Sequence, residues 1–205
     1  MKVMIVYAHP SKKSFTYQVL ARLVDGLLKA HHRVEISDLY EMNFRSEMTE
    51  EEYEREGFSK TDMPLPEDVK KEHDKIEKAD CIIFVYPVWW SDCPARLKGW
   101  FDRVYSVGYA YGYGEKGEKR IQMKKQKLGL VICTAGHSNE FLEEIGIAES
   151  MRKIMIDDRL GMRFERKEMF ILGGTLEIDK VKESHLNKAY EIGEKIESYC
   201  TGITT

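Results

Sequence analysis

The chain has 205 residues, of which 42% are hydrophobic and 33% are charged. This balance is typical of a globular protein, and the length suits one α/β domain, so we expect residues 1–205 to form a single domain. The formal net charge is −3, and acidic and basic residues are mixed along the chain. That pattern argues against the clustered basic surface that binds nucleic acid.

Targeting and cross-linking signals are weak. The N-terminal apolar segment ends at His9-Pro10, which makes it shorter than the core of a signal peptide. No stretch approaches the roughly 20 apolar residues that cross a bilayer. The four cysteines, at positions 81, 93, 133 and 200, include no close pair, which argues against a zinc site or a disulfide framework. We therefore expect a cytoplasmic protein with no metal and no membrane insertion.

Five apolar segments have the composition of buried β-strands. They cover residues 2–8, 33–39, 81–86, 127–134 and 168–172. Most of them lack polar alternation, as a parallel sheet covered on both faces requires. The second segment is polar enough to be an edge strand.

Segments with helical periodicity alternate with these strands. They cover residues 14–30, 66–79, 93–105, 143–160 and 180–199. The alternation predicts an α/β fold, a doubly wound parallel sheet with helices on both faces. Five strands favour the flavodoxin-like order 2-1-3-4-5. One segment, about 40–63, is an insertion after strand 2 that is too long for a plain loop. It is interpreted as a solvated helix with a connector, or alternatively as a flap or dimer contact beside the site.

In such a sheet, ligands bind beyond the carboxyl ends of the strands, here in the loops after strands 1, 3 and 4. The loop after strand 1 places the hydroxyls of Ser11, Ser14 and Thr16 around a helix start. The free N–H groups and the dipole of a helix N-terminus attract anions, so we expect a phosphate there. The alternative is that Ser14 is only an N-cap.

The loops after strands 3 and 4 have the composition of a site for a planar ring. Trp89 and Trp90 stand together at the end of strand 3, where aromatic side chains can stack and backbone N–H groups can donate to a ring edge. Both indoles could instead lie in the core or at a dimer interface. After strand 4, Gly136 permits close approach of a ring, and His137 is interpreted as a proton donor, a dimer contact or a bystander.

Five stretches carry a family resemblance. They are 8–16 (AHPSKKSFT), 37–44 (SDLYEMNF), 86–103 (YPVWWSDCPARLKGWFDR), 110–113 (AYGY) and 134–136 (TAG). In these residues the chain resembles the flavodoxin-like NAD(P)H:quinone oxidoreductases, which include DT-diaphorase and the flavoproteins attached to bacterial potassium-efflux systems. The resemblance is strong over residues 1 to about 137, and the stretch from Pro94 to Arg103 is the most specific.

The resemblance implies a homodimeric flavoprotein with two sites at the subunit interface. Hydride would pass from NAD(P)H to flavin N5 and then to a quinone or similar acceptor, in a ping-pong cycle that uses one cavity. The residues implied at the phosphate or ribityl side are His9, Ser14, Phe15 and Thr16. The composition of the loop adds the hydroxyl of Ser11. Those implied at the isoalloxazine are Pro87, Val88, Trp89, Trp90, Thr134, Ala135 and Gly136. Tyr111 and Tyr113 would line the acceptor side of the partner subunit's site; the alternative is that they are ordinary surface tyrosines. His137 is a third catalytic candidate.

The sequence also departs from the family's best-studied branch. Phe141 and Ile147 occupy the positions of a tyrosine and a histidine proposed there to balance charge on the reduced flavin, and Ala135 replaces a glycine. Either His137 or backbone donors take that role, or quinone reduction is slow. FMN is slightly favoured over FAD, because an FMN site needs only the three loops.

Two other functions remain open. The first is a regulatory flavin-binding subunit of a membrane transport system with little turnover. The second is an electron-transfer flavodoxin without pyridine-nucleotide activity.

Overall fold

A computed structural model describes residues 1–112 and 122–201. Its sheet has five parallel strands in the order β2-β1-β3-β4-β5, which confirms the predicted flavodoxin-like topology. The strands are β1 (Lys2–Tyr7), β2 (Arg33–Asp38), β3 (Cys81–Pro87), β4 (Gln126–Thr134) and β5 (Phe164–Leu172). Every residue of β3 is buried, whereas β2 is largely exposed, as expected of a central strand and an edge strand.

Helices cover both faces of the sheet. They are α1 (Phe15–Lys29), α2 (Glu50–Gly57), α3 (Glu67–Lys78), α4 (Ala95–Val104), α5 (Asn139–Glu144), α6 (Ile147–Arg152), α7 (Ile178–Glu194) and α8 (Ile196–Thr201). A π-helical segment, Lys153–Leu160, follows α6, and short 3₁₀ turns cover Gly161–Arg163 and Thr175–Glu177. No helix among the described residues is long and apolar enough to cross a membrane.

The prediction of one helix over 143–160 was wrong. Gly146 has a φ of 75°, a left-handed conformation that ends an α-helix, so α5 and α6 are separate. The chain then changes to π-helical hydrogen bonding from Lys153. The helix predicted over 180–199 is likewise divided, into α7 and α8 around Lys195. Strand β5 begins at Phe164, four residues before the predicted strand at 168–172. The prediction missed these four residues because the first half of this edge strand is mostly polar and exposed.

Two apolar clusters form the core, one on each face of the sheet. One contains alternate residues of β1 and β3 together with α1 and α7; the other contains the remaining residues of those strands with α4 and α6. Helices α1 and α7 touch at Gly26, where a Cβ atom would lie 2.1 Å from the carbonyl oxygen of Tyr190. Only glycine permits this approach.

The insertion after β2 packs against α4. Thr49 forms a capping box with Glu52 at the start of α2. Glu52 then accepts a hydrogen bond from the buried guanidinium of Arg103, at 2.7 Å, and the same guanidinium makes two bonds to Asp68. The insertion therefore contains a helix, as expected, but ion pairs inside the protein hold that helix in place.

We expect these ion pairs to make stability depend on pH. Burial alone would raise the pKa of Glu52 and Asp68, but their hydrogen bonds, including those from Arg103, hold both pKa values below the ordinary range. A lowered folded-state pKa contributes stability above the ordinary pKa and loses it as pH falls through the folded value. The free energy of unfolding in urea should therefore decrease from about pH 5 to about pH 3. The change of this free energy with pH should be smaller in Arg103→Met. An equal change would contradict the assignment of the pH dependence to these ion pairs.

Candidate active site

The loops after β1, β3 and β4 meet at the carboxyl edge of the sheet. The hydroxyls of Thr16 and Thr134 share a buried hydrogen bond of 2.8 Å. The N–H of Val88 donates to the carbonyl of Thr134, also at 2.8 Å. The rings of His9 and Trp89 lie 6.0 Å apart between centroids. Residues far apart in sequence therefore form one continuous surface.

The loop after β1 orients His9. The N–H of Ser11 donates to His9 Nδ1 at 2.9 Å, so that nitrogen carries a lone pair. Burial lowers the pKa of His9, which keeps the ring neutral near pH 7. A neutral ring that accepts at Nδ1 carries its proton on Nε2. His9 can therefore donate one hydrogen bond to a ligand.

The start of α1 offers further donors. Ser14 is the N-cap and accepts from Tyr17 N–H at 3.1 Å, so its capping role is real. The N–H groups of Phe15 and Thr16 have no acceptor within the described residues. The Phe15 ring faces His185 of α7, 6.2 Å away between centroids, so Phe15 can serve this site through its backbone. These two N–H groups are free donors at a helix N-terminus, a position that favours anions.

The side chain of Ser11 is exposed, and its hydroxyl accepts a hydrogen bond from Lys13 N–H at 3.2 Å. The ammonium of Lys12 pairs with Glu41 at 2.8 Å. Neither contact consumes the donors at the start of α1.

The loop after β3 presents two indoles to solvent. Trp90 is fully exposed and Trp89 is 42% exposed, so neither lies in the core. Trp90 and Ser91 have φ angles of 49° and 63°. Two consecutive non-glycine residues in the left-handed region store backbone strain, which is frequent at functional sites.

Backbone donors in this loop are fewer than expected. The N–H groups of Val88 and Trp89 donate to the carbonyls of Thr134 and Asp92, and Pro87 has none. The N–H groups of Trp90 and Ser91 have no acceptor within the described residues. The free donors of this loop are therefore those of Trp90 and Ser91, while the N–H of Val88 is already used within the protein.

The sequence interpretation missed the ion pair beside this loop. Asp92 accepts two hydrogen bonds from Arg159, at 2.7 and 2.9 Å. Burial would raise the pKa of Asp92, but Arg159 and the N–H of Cys93 hold it below the ordinary range. No sequence signal marks the pair, because its members are 67 residues apart.

The loop after β4 is held by the loop after β5. The N–H of Ala135 donates to Leu172, and its carbonyl accepts from both the N–H and the hydroxyl of Thr175. A Cβ atom on Gly136 would lie 3.3 Å from the Leu176 side chain. The N–H of Gly136 has no acceptor within the described residues. The sequence analysis did not include this second loop, although the adjacent glycines Gly173 and Gly174 could have marked it.

The comparisons with known proteins agree with this architecture. The Flavodoxin_2 family, which has a flavodoxin-like fold, matches residues 1–195. A solved NAD(P)H:quinone oxidoreductase from Methanothermobacter marburgensis is 49% identical, with a TM-score of 0.88 over 96% of this chain and 97% of that chain. The chain belongs to this family of flavodoxin-like-fold NAD(P)H:quinone oxidoreductases.

Two curated relatives extend the comparison. The ribosyldihydronicotinamide dehydrogenase-like protein traD of Penicillium crustosum is 32% identical over 184 residues, which cover 80% of this chain and 68% of the relative. NAD(P)H dehydrogenase (quinone) 1 of Rattus norvegicus is 35% identical over 153 residues, covering 68% of this chain and 56% of the relative. The predicted resemblance and the predicted enzyme class, an NAD(P)H dehydrogenase of the quinone type, are confirmed.

The remaining residues predicted from the sequence are His137, Tyr111 and Tyr113. His137 is exposed, and its ring contacts Phe141 at 4.8 Å between centroids. Tyr111 donates to Glu56 at 3.1 Å; burial, followed by the charge of Glu56, raises its pKa to about 12. Tyr111 lines a cavity of about 320 Å³ beside α4, and Arg159 lines the same cavity. Tyr113 lies outside the described residues.

Proposed function

We propose that this chain is a flavin-dependent oxidoreductase that transfers hydride from NAD(P)H to a quinone or similar acceptor in a ping-pong cycle. The observation that carries the proposal is the junction of an anion-binding helix start with two exposed indoles on one sheet edge. A flavin needs both features, because it joins a phosphate to a flat aromatic ring. The comparisons support the enzyme class.

The donor set fits a flavin. The N–H groups of Phe15 and Thr16, with His9 Nε2, would hold the phosphate. The N–H groups of Trp90 and Gly136 would serve the polar edge of the ring, and the hydroxyls at Ser14 and Thr16 would serve the ribityl chain. When bound, the flavin supplies a two-electron carrier that accepts and returns hydride at N5.

The protein contributes binding, orientation and exclusion of water. The indoles of Trp89 and Trp90 offer flat apolar surface against which a ring can be held. Backbone N–H donors stabilise negative charge without changing protonation state. Phe141 and Ile147 cannot hold a proton, so we assign any exchangeable proton on this side to His137, the exposed imidazole after β4.

We propose a cytoplasmic homodimer in which each site is completed by the second copy. The side chains that support this are large, apolar and exposed, and they lie on or beside the loops after β4 and β5: Phe141, Ile145 and Leu176. Covering them would remove a large apolar surface from water. Light scattering during gel filtration should give twice the mass of one chain, and a monomer would contradict the proposal.

FMN is proposed over FAD. An FMN site needs only the phosphate-binding start of α1 and the two ring loops. The segment that could have formed an adenine pocket, the insertion around α2, packs inward through Glu52 and Arg55, which are both buried. Mass analysis of the released cofactor decides between the two.

The proposed activity is tested by the visible spectrum of the purified protein. A yellow protein that bleaches with NADH or NADPH without oxygen, and regains its colour with a quinone, would support it. A yellow protein that neither nucleotide bleaches would favour a regulatory flavin-binding subunit. Failure to take up FMN or FAD would contradict the proposal.

His9→Ala is expected to weaken FMN binding about tenfold, because one hydrogen bond to a charged group is lost. Binding of riboflavin, which has no phosphate, should change little. The measurement is a titration of the apoprotein by quenching of tryptophan fluorescence. Equal losses for both ligands would place His9 at the ring, and no loss for either would remove it from the site.

A further inference from the structure

One ion pair fastens the Trp89–Trp90 loop to a distant part of the chain. The guanidinium of Arg159 bonds to both carboxylate oxygens of Asp92, at 2.7 and 2.9 Å. Arg159 belongs to the π-helical segment Lys153–Leu160, which leads into β5. The pair therefore connects the end of β3 to the start of the last strand, and it does so beside the proposed ring site.

Arg159 has few other partners. It is 8% exposed, and its Nη1 lies 3.2 Å from Met155 Sδ and 3.4 Å from Cys93 Sγ. The guanidinium carbon lies 5.2 Å from the centre of the Phe101 ring. Within the described residues, Asp92 is the only carboxylate in a salt bridge with it. Two parallel hydrogen bonds make the pair strong and directional. Without the carboxylate, the buried guanidinium would carry an unpaired charge, which is destabilising.

The residues held by this bond adopt an unfavourable conformation. Trp90 and Ser91, at φ 49° and 63°, directly precede Asp92. The turn is closed by reciprocal backbone hydrogen bonds between Trp89 and Asp92, at 2.9 and 3.2 Å. Non-glycine residues persist in the left-handed region only where the surrounding structure fixes them. Asp92 closes the turn, and its carboxylate is held by the N–H of Cys93, at 2.6 Å, and by both bonds from Arg159.

We propose that Arg159 is a positioning residue for the flavin: through Asp92 it keeps Trp90 and Ser91 in the left-handed turn that presents the Trp90 indole and N–H to the ring. The inference rests on the proposed function and deepens it. Arg159 acts on the ring site through another residue, so its role is to set cofactor affinity.

Three substitutions separate the parts of this role. Asp92→Ala removes the anchor and leaves a buried guanidinium unpaired. Asp92→Asn keeps one acceptor oxygen, and Arg159→Lys keeps the charge but cannot bond to both oxygens. We expect the dissociation constant for FMN to rise about 30-fold or more in Asp92→Ala and by smaller factors in the two conservative variants.

Riboflavin distinguishes positioning of the ring from other effects. Because the turn would contact the ring, Asp92→Ala should weaken riboflavin and FMN by the same factor, in contrast to His9→Ala. Arg152→Ala is the matched control, since the ion pair of Arg152 with Glu143 joins α6 to α5 and both side chains are exposed. That variant should bind both ligands as the unmodified protein does.

The experiment is a titration of each apoprotein with FMN and with riboflavin, paired with a thermal unfolding curve without ligand. A graded rise in both dissociation constants, with the conservative variants between the extremes, supports the proposal. Unchanged affinities in Asp92→Ala, with or without a lower melting temperature, would reduce the pair to a stabilising contact and overturn it. If the unmodified protein binds neither ligand, the proposed function fails, and this inference fails with it.

Discussion

Trp90→Ala is expected to weaken flavin binding about 30-fold while leaving the stability of the apoprotein nearly unchanged. The indole of Trp90 is fully exposed, so its removal costs the fold almost no packing. Loss of one aromatic stacking contact is worth about 2 kcal/mol, which corresponds to the stated factor. The measurement is fluorescence titration of the apoprotein with FMN, with thermal unfolding recorded beside it. Trp89→Ala should change the affinity in the same direction.

Phe58→Ala is the control for Trp90→Ala. Phe58 is also a large exposed aromatic, at 63% exposure, but it follows α2 and contacts Tyr53. We expect the Phe58→Ala variant to bind FMN with the affinity of the unmodified protein. If Trp90→Ala binds FMN equally well, the indole is not part of the ring site. If both variants lose affinity for FMN, the loss does not depend on where the aromatic side chain lies, and it does not support a ring site at Trp90.

Arg103→Met is expected to destabilise the protein by about 3–5 kcal/mol. The Arg103 side chain is completely buried and bonds to Glu52, Asp68 and the carbonyl of Arg45. Methionine fills a similar volume without donors, so Glu52, whose side chain is 9% exposed, would keep a buried charge with fewer partners. The free energy of unfolding in urea measures the effect.

Lys98→Ala is the matched control for Arg103→Met. Lys98 lies on the same helix and pairs with Asp102, but both side chains are exposed, and exposed ion pairs add little stability. A small loss in Lys98→Ala beside a large loss in Arg103→Met is the expected result. Comparable losses would mean that helix α4, and not the buried network, determines the stability.

The sequence predicted the sheet because strands that are buried on both faces are apolar at nearly every position. Strand β3 is apolar at every position, and β1 is nearly so, which indicates a parallel interior. Five strands alternating with helices favoured the flavodoxin-like order, and that order places the loops after β1, β3 and β4 together. The hydrogen bond between the hydroxyls of Thr16 and Thr134 agrees with that placement of the loops. The roles assigned to the loop residues toward a flavin stay predictions.

The sequence by itself determined the α/β topology, because topology depends on local composition and on chain order, and its motifs identified the family. Only the tertiary structure decided how the loops after β1, β3 and β4 are held. The left-handed turn at Trp90 and Ser91, and the bond from Asp92 to Arg159, join residues that no periodicity connects. Likewise, the donor N–H groups that stay free could be identified only after all others had found partners, since each backbone group's partner depends on the whole fold.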